Sequence, residues 1–194
     1  MLVHGNNLER KENHRTKYRD SLSRQYLREI REKYEEWKAD NEALRGPFKD
    51  GSAEDEDIIS RRVDLLNRYK DFIDQQHYAE RFDSRSNLHS SVLEEFMYYL
   101  FRDLVNSISS NALIGKSHSF KDIFFRADSF INMVEKPHAL IEIKDHDFAI
   151  GSTIDTSMKC KGADQSEVHS WDVPAIAIEC KTYLDKTMLQ DVST

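Results

Sequence analysis

ALIEIKDHDFAIG at residues 139–151 and VPAIAIECKTYLDKTML at residues 173–189 are the two stretches whose reading decides the fold. In the first, Asp147 opens the short apolar run Phe148-Ala149-Ile150-Gly151; in the second, Glu179 and Lys181 close the run Ala175-Ile176-Ala177-Ile178. Side chains alternate between the faces of a strand, so Glu179 and Lys181 share a face and Cys180 points the other way. The run at 175–178 is apolar on both faces and opens after Pro174, which predicts a central strand buried on both sides. Two such strands bring two carboxylates and an amine together. Carboxylate oxygens are the hard ligands that Mg²⁺ prefers, and they leave positions for water and a substrate phosphate. Lys181 is then placed to orient or polarise an attacking water and to offset charge on the phosphorus oxygens.

Asp147, Glu179 and Lys181 resemble the PD-(D/E)xK nuclease motif. The phrases EEFMYYLF (94–101), KDHDFAIG (144–151) and AIAIECKTYLDKTML (175–189) resemble type II restriction endonucleases of the heterodimeric group typified by BbvCI. The resemblance runs from about Asn87 to the C-terminus and departs from the motif at one place, where His146 stands in the position of the proline before Asp147. It implies an α/β (α+β) restriction-endonuclease-like core, a mixed sheet flanked by helices. It also implies Mg²⁺-dependent hydrolysis of double-stranded DNA at a specific site, leaving 5′-phosphate ends, with a second nuclease subunit, non-identical or identical, as partner. The implied metal ligands are Asp147, Glu179 and the backbone carbonyl of Cys180. One of Glu94 and Glu95 supplies a further carboxylate that helps hold the metal or the water, and which of the two remains open.

Glu-x-Lys alone has little weight, because it occurs four times: at Glu9/Lys11, Glu36/Lys38, Glu142/Lys144 and Glu179/Lys181. The first two lie in a charged segment of helical pattern, where positions i and i+2 do not face each other. The third has Asp128 fourteen residues before it and is a rival site. After Lys144 the chain enters another strand-like run. After Lys181 it enters Asp185-Lys-Thr-Met-Leu-Gln, which opens like a helix with Asp185 as N-cap, as the resembling fold requires.

The chain has 194 residues, 39% of them hydrophobic and 10% aromatic, an ordinary composition for a globular domain, and a formal net charge of −7. That balance excludes a protein that coats nucleic acid through charge alone, yet a local basic surface can coexist with an acidic remainder. Two cysteines, Cys160 and Cys180, give neither a disulfide framework nor a paired-thiol zinc spacing and are expected to be free. With no signal-like or membrane-length apolar run, the expected location is the cytoplasm.

Residues 1–85 read as a helical N-terminal region and 86–194 as the nuclease core. Residues 8–40 predict one charged helix with Leu22, Tyr26, Ile30, Tyr34 and Trp37 as its apolar stripe. Along it Arg15, Lys17, Arg19, Arg24, Arg28 and Arg31 admit two readings, a solvated face laced with charge pairs or an arm that contacts phosphate. After a Gly/Pro loop, Ser52 caps a second helix with an acidic first turn and the stripe Ile59, Val63, Leu66, Tyr69 and Ile73. A third helix runs from about residue 86 to 107 with Leu93, Phe96, Met97, Leu100 and Leu104 inward. Ser91 and Glu94 fit a capping box there, and Tyr98 and Tyr99 read as packing residues.

Residues 111–121 read as a loop in which Lys116, His118, Ser119 and Lys121 offer donors to DNA. Phe124-Phe125 and residues 130–134 suggest strand fragments, and Lys136-Pro137-His138 a turn. The polar excursion 152–172 is either a hairpin insertion or a DNA contact through Lys159, Lys161, His169 and Trp171. His138 and His146, without further spaced ligands, read as surface or hydrogen-bonded residues and not as a zinc site. The chain stops at Thr194, thirteen residues past Lys181, so a core truncated at its C-terminus is expected, as a fragment or as a chain completed by a partner. Two other functions fit the same residues: a repair or recombination nuclease of this fold, and a noncatalytic helical interaction protein.

Overall fold

The structure, a computed structural model, describes residues 2–48, 51–82 and 88–181. The chain divides into two compact units, Met1–Ile108 with Cys180–Thr194, and Ser109–Glu179. The first is helical: α1 (Val3–Glu12), α2 (Ser21–Ala43), α3 (Ala53–Ile73), α4 (Gln76–Arg81) and α5 (Leu88–Ile108). The second holds β1 (Leu113–Phe125), α6 (Phe130–Glu135), β2 (Ala139–Lys159) and β3 (Ser166–Ile178). The chain is thus a mixed α/β protein with an N-terminal helical region and a three-stranded mixed sheet.

The single helix expected over residues 8–40 is two helices. The His14 ring nitrogen Nδ1 accepts the backbone N–H of Thr16 at 3.3 Å and of Lys17 at 3.1 Å, so the side chain captures amides that a continuing helix would use. Asp20 then starts α2, accepting from the Ser23 N–H at 3.0 Å and the Ser23 hydroxyl at 2.8 Å. Its buried stripe holds Ile30, Tyr34 and Trp37 as expected, but Leu27 replaces Leu22, which is exposed.

Ser52 caps α3 at the predicted place, its hydroxyl accepting from the Asp55 N–H at 3.2 Å, and Glu54, Asp55 and Glu56 fill the first turn. The stripe is rotated from the expected one: Arg62 and Leu65 are buried, while Ile59 and Val63 are exposed. The cause is Arg62, fully enclosed, whose guanidinium donates to the carbonyls of Asn41 (3.0 Å), Leu44 (3.1 Å) and Gly46 (2.8 Å). Asn41 lies in the last turn of α2, Leu44 is its C-cap and Gly46 follows just beyond, so these carbonyls have no intrahelical donor, and a cation there also complements the helix dipole. Burial, then Arg102, pushes the Arg62 guanidinium down to about 10, with Asp103 acting in the opposite direction.

On α5 the capping box does not form. Ser91 lies inside the helix, its hydroxyl donating to the Leu88 carbonyl at 3.2 Å and meeting His4 Nδ1 at 2.9 Å. Tyr99 is fully buried, as a packing residue should be. The apolar core of the helical unit runs from Leu8 through Leu27, Ile30, Tyr34 and Trp37 to Tyr69, Val92 and Tyr99.

In the strand unit, residues 111–121, expected as a loop, form most of β1. Gly115, Ser117 and Ser119 point inward and Lys116, His118 and Phe120 outward, a strict alternation carried by small residues and therefore without an apolar signature. Residues 130–134 are helical, with Ser129 capping α6 through the Asn132 N–H, so the expected strand fragment there is also corrected. The excursion after Ser152 is a hairpin: β2 continues to Lys159 and β3 begins at Ser166. Residues 175–177 are exposed, not buried on two faces. The reason lies in the pairing: β3 runs antiparallel to β2 on one side and has a single parallel bridge, Ser119 to Asp172, on the other.

His4 supplies a pH test of the helical core. It is fully buried between Ser91 and Tyr69, whose hydroxyl lies 2.7 Å from Nε2. Burial first, then the charges of Lys11, Arg31 and His89, push its pKa from 6.5 down to about 3. The unfolded chain therefore takes up this proton near pH 6.5 and the folded chain does not, so stability is full above pH 6.5 and falls as pH drops toward 3. Glu95, raised by burial, acts in the opposite sense in both proteins when wild type is compared with His4→Asn. In urea midpoints between pH 7.5 and 5, the wild type is expected to lose about 2 kcal/mol more than the variant, on the basis of about 1.4 kcal/mol per pH unit. Parallel curves would overturn the assignment of a neutral buried His4.

Candidate active site

Asp147 lies in β2, half-buried, at a break in the β1–β2 ladder. Ser117 pairs with His146 and Gly115 with Ala149, so Asp147 and Phe148 together face the one residue Lys116. This is a β-bulge, a device that bends a strand and re-aims a side chain. Phe148 and Ala149, the next two residues, are buried and anchor the strand.

On the other side of β2, Phe148 pairs with Ile178. That pair ends the ladder, with Asp147 the next residue of β2 and Glu179 the first residue after β3. A second irregularity follows at once: Ile150 pairs with Ile176 but Gly151 with Pro174, leaving Ala175 unmatched. Gly151 is required there, since a Cβ built on it would meet the Val173 carbonyl oxygen at 2.2 Å. β2 thus carries one irregularity toward β1 at Asp147 and Phe148 and another toward β3 at Gly151.

His146 is the residue that sequence reasoning undervalued. Its Nδ1 lies 3.3 Å from Glu179 Oε1, and its Nε2 lies 2.9 Å from Ser119 Oγ, which is also 3.2 Å from the Lys144 carbonyl. The single Ser119 hydroxyl hydrogen goes to the Lys144 carbonyl, so Ser119 Oγ faces Nε2 as an acceptor, and the contacts at the two ring nitrogens together fix the ring plane. His146 is therefore the hydrogen-bonded residue that its spacing suggested. The signal was available, since a histidine stood where the motif carries a proline.

Asp147 and Glu179 are carboxylates of the kind that suits Mg²⁺, which keeps several waters and takes one or two protein carboxylates plus substrate phosphate. Among the described residues, no three His, Cys, Asp or Glu side chains gather as a metal site. Both His146 ring nitrogens have hydrogen-bond partners. Lys181 follows Glu179 by two residues and falls, with the buried Cys180, in the helical unit. Asp185 lies outside the described residues.

Glu94 and Glu95 are both buried in the helical unit. Glu95 has no exposed surface. Its Oε2 accepts the backbone N–H groups of His4 (2.8 Å) and Gly5 (3.3 Å), and its Oε1 accepts the Tyr34 hydroxyl at 2.9 Å and the Tyr99 hydroxyl at 3.5 Å. Burial raises its pKa, with those donors acting against the rise. Both oxygens have structural partners.

The rival residues are placed differently. Glu142 is exposed and paired with Lys121 at 2.6 Å across the β1–β2 ladder, and Asp128 is exposed between β1 and α6. Of the proposed DNA contacts, His118 meets Asp145 at 2.6 Å on the open surface, Lys116 faces the bulge, and Lys159 and Lys161 are exposed at the hairpin end. Asp172 ties β3 to β1, accepting the His118 N–H at 2.8 Å. Partial burial works to raise its carboxyl, but that bond and the Thr153 hydroxyl hold it below the ordinary range.

The model of the Bpu10I restriction endonuclease family matches residues 85–194, more than half of the chain. No curated protein matches it. Cys160 and Cys180 are free thiols, and among the described residues no helix is long and apolar enough to cross a membrane.

The Gly151 contact yields a test of the register. Gly151→Ala should force Val173 and Pro174 away from β2 and slip the pairing that leads to Glu179, costing the strand unit about 1–3 kcal/mol as an overpacked site does. Hydrogen exchange of the amides of residues 148–159 measures it. Unchanged protection would mean that the close approach is not needed.

Proposed function

Because the chain belongs to the Bpu10I restriction endonuclease family, we propose that it is the nuclease subunit that cuts one strand of a specific double-stranded DNA site, with Asp147 and Glu179 as metal-holding carboxylates and Lys181 as the assisting amine. The observation that supports the reading is the β2–β3 ladder, whose last pair, Phe148 and Ile178, is adjoined in the chain by Asp147 and Glu179. Mg²⁺, when bound there, neutralises charge on the scissile phosphate and lowers the pKa of the attacking water.

The protein's own contribution is positional. The bulge turns Asp147 out of the β1–β2 ladder, and the bond from His146 restrains the Glu179 carboxylate, so neither group has to be ordered when substrate arrives. Lys181, two positions after Glu179, is the group that would hold the water by hydrogen bonding and match negative charge developing on the phosphoryl oxygens. His146 acts through Glu179 and is a positioning residue. A second subunit completes the duplex cut, and the cytoplasm is the compartment such an enzyme acts in.

Asp147→Asn is expected to lower plasmid cleavage by at least about 100-fold while leaving DNA binding in place. Glu142→Gln, in the surface pair with Lys121, is expected to keep activity within about threefold, since exposed pairs contribute little. Total loss in the second variant with intact folding would move the site to Asp128 and Glu142. Undiminished cleavage in chelator would sink the metal reading.

Lys181→Ala tests the division of labour between subunits. The variant complex should nick supercoiled plasmid and stop, because the partner still cuts its own strand and the carboxylates of this chain remain. Linearisation at the normal rate would show that Lys181 takes no part in the chemistry.

A further inference from the structure

The family match covers residues 85–194 and leaves the helices before it without a role. Charge is sorted sharply there. Residues 10–33 contain nine basic and four acidic side chains, a local charge of +5 in a chain of −7. Part of this segment walls a groove of about 630 Å³ on the helical unit, lined by Arg19, Arg24, Leu27, Arg28 and Arg31 together with Glu12 and Glu32.

Most carboxylates around the groove are engaged. Glu12 holds Arg31 through two bonds of 2.9 Å, Asp20 takes Ser23 and Arg81, and Glu29 accepts from the Tyr78 hydroxyl at 2.6 Å and from Gln25 at 2.8 Å. Arg31 is thereby fixed as a wall, and its Nη2 also reaches the Gly5 carbonyl at 3.3 Å. Arg24 and Arg28 are exposed, and among the described residues neither has a carboxylate within ion-pair distance. They stand one helical turn apart, about 6 Å along the axis, close to two phosphate steps of about 3.4 Å on one strand.

We propose that this groove is a second DNA contact in which Arg24 and Arg28, flanked by Arg19, hold phosphates of one strand of the duplex. The proposal rests on the reading of the chain as a DNA-cutting subunit and adds a surface to it. Guanidinium groups suit this ligand because their fixed fork matches phosphate oxygens, and such contacts position a protein without reading bases. The contact is independent of sequence, so it sets affinity and register on the duplex and leaves site choice to other residues.

The test is a salt titration of the full chain on a fluorescent duplex of about 30 base pairs, in chelator so that no cutting occurs. Each phosphate that an arginine no longer neutralises should lower the slope of log affinity against log salt by about 0.9, so Arg24→Gln with Arg28→Gln is expected to reduce it by about 1.8. Arg61→Gln with Arg68→Gln removes the same charge from α3 and is expected to leave the slope unchanged. In the presence of Mg²⁺ the groove variant should raise KM for plasmid about tenfold at unchanged kcat. An unaltered slope in the groove variant, or an equal fall in both variants, overturns the contact while wild-type binding keeps the nuclease reading intact. Loss of assembly with the partner subunit at an unaltered slope would make the groove a protein-docking surface and also overturns it. A wild-type chain with no salt-sensitive DNA binding would remove the nuclease reading and the groove contact with it.

Discussion

The helical unit depends on one buried carboxylate. Glu95 comes from α5 with no exposed surface, yet it closes the first turn of α1 by accepting the amides of His4 and Gly5, and it gathers Tyr34 of α2 through its other oxygen. A carboxylate moved from water into a protein interior is costly unless its lone pairs are filled, and here donors from three helices fill them. The positive end of the α1 dipole adds to the attraction. His4 extends the network to Tyr69 of α3, so α1, α2, α3 and α5 meet at one polar knot inside an apolar core. Such a knot specifies which helices pack together more sharply than apolar surface does, because a misplaced helix would leave a buried charge unmet.

Arg62 repeats the device with the charge reversed. It gathers the last carbonyls of α2, assisted by Arg102, which reaches the Leu44 carbonyl at 3.2 Å, while Asp103 holds the Gly46 N–H at 2.6 Å. A carboxylate at the start of α1 and guanidinium groups at the end of α2 satisfy backbone groups that helix ends leave open. This also explains why a charged residue occupies the inward position of α3, where pattern alone would place Ile59 or Val63: the backbone of α2 requires a donor there more than the core requires another methyl group.

Much of the architecture was legible because it followed local rules. Ser52 before an acidic turn marked the start of α3, and the apolar runs after Asp147 and before Glu179 marked strands that do pair in the structure. The features that pattern could not show depend on partners distant in sequence. The structural role of Glu95 was not visible because its partners, His4 and Gly5, lie about ninety residues away. The strand β1 was hidden because its inward residues are Gly115, Ser117 and Ser119, and a strand that buries small polar groups shows no apolar period. One of its two inward serines, Ser119, meets His146, so the feature that concealed the strand also ties it to the candidate site.

The same logic explains the histidine before Asp147. A proline there would fix φ but could donate nothing to β1 or to Glu179. His146 keeps its place in the ladder opposite Ser117, and its ring joins Ser119 of β1 to Glu179 at the end of β3. It therefore links both neighbours of β2 at the residue where the bulge begins. A bulge alone bends a strand but leaves the re-aimed side chain free to choose among rotamers. The ring bond restrains the carboxylate of Glu179, so geometry that would otherwise rest on backbone alone is held by a side chain as well.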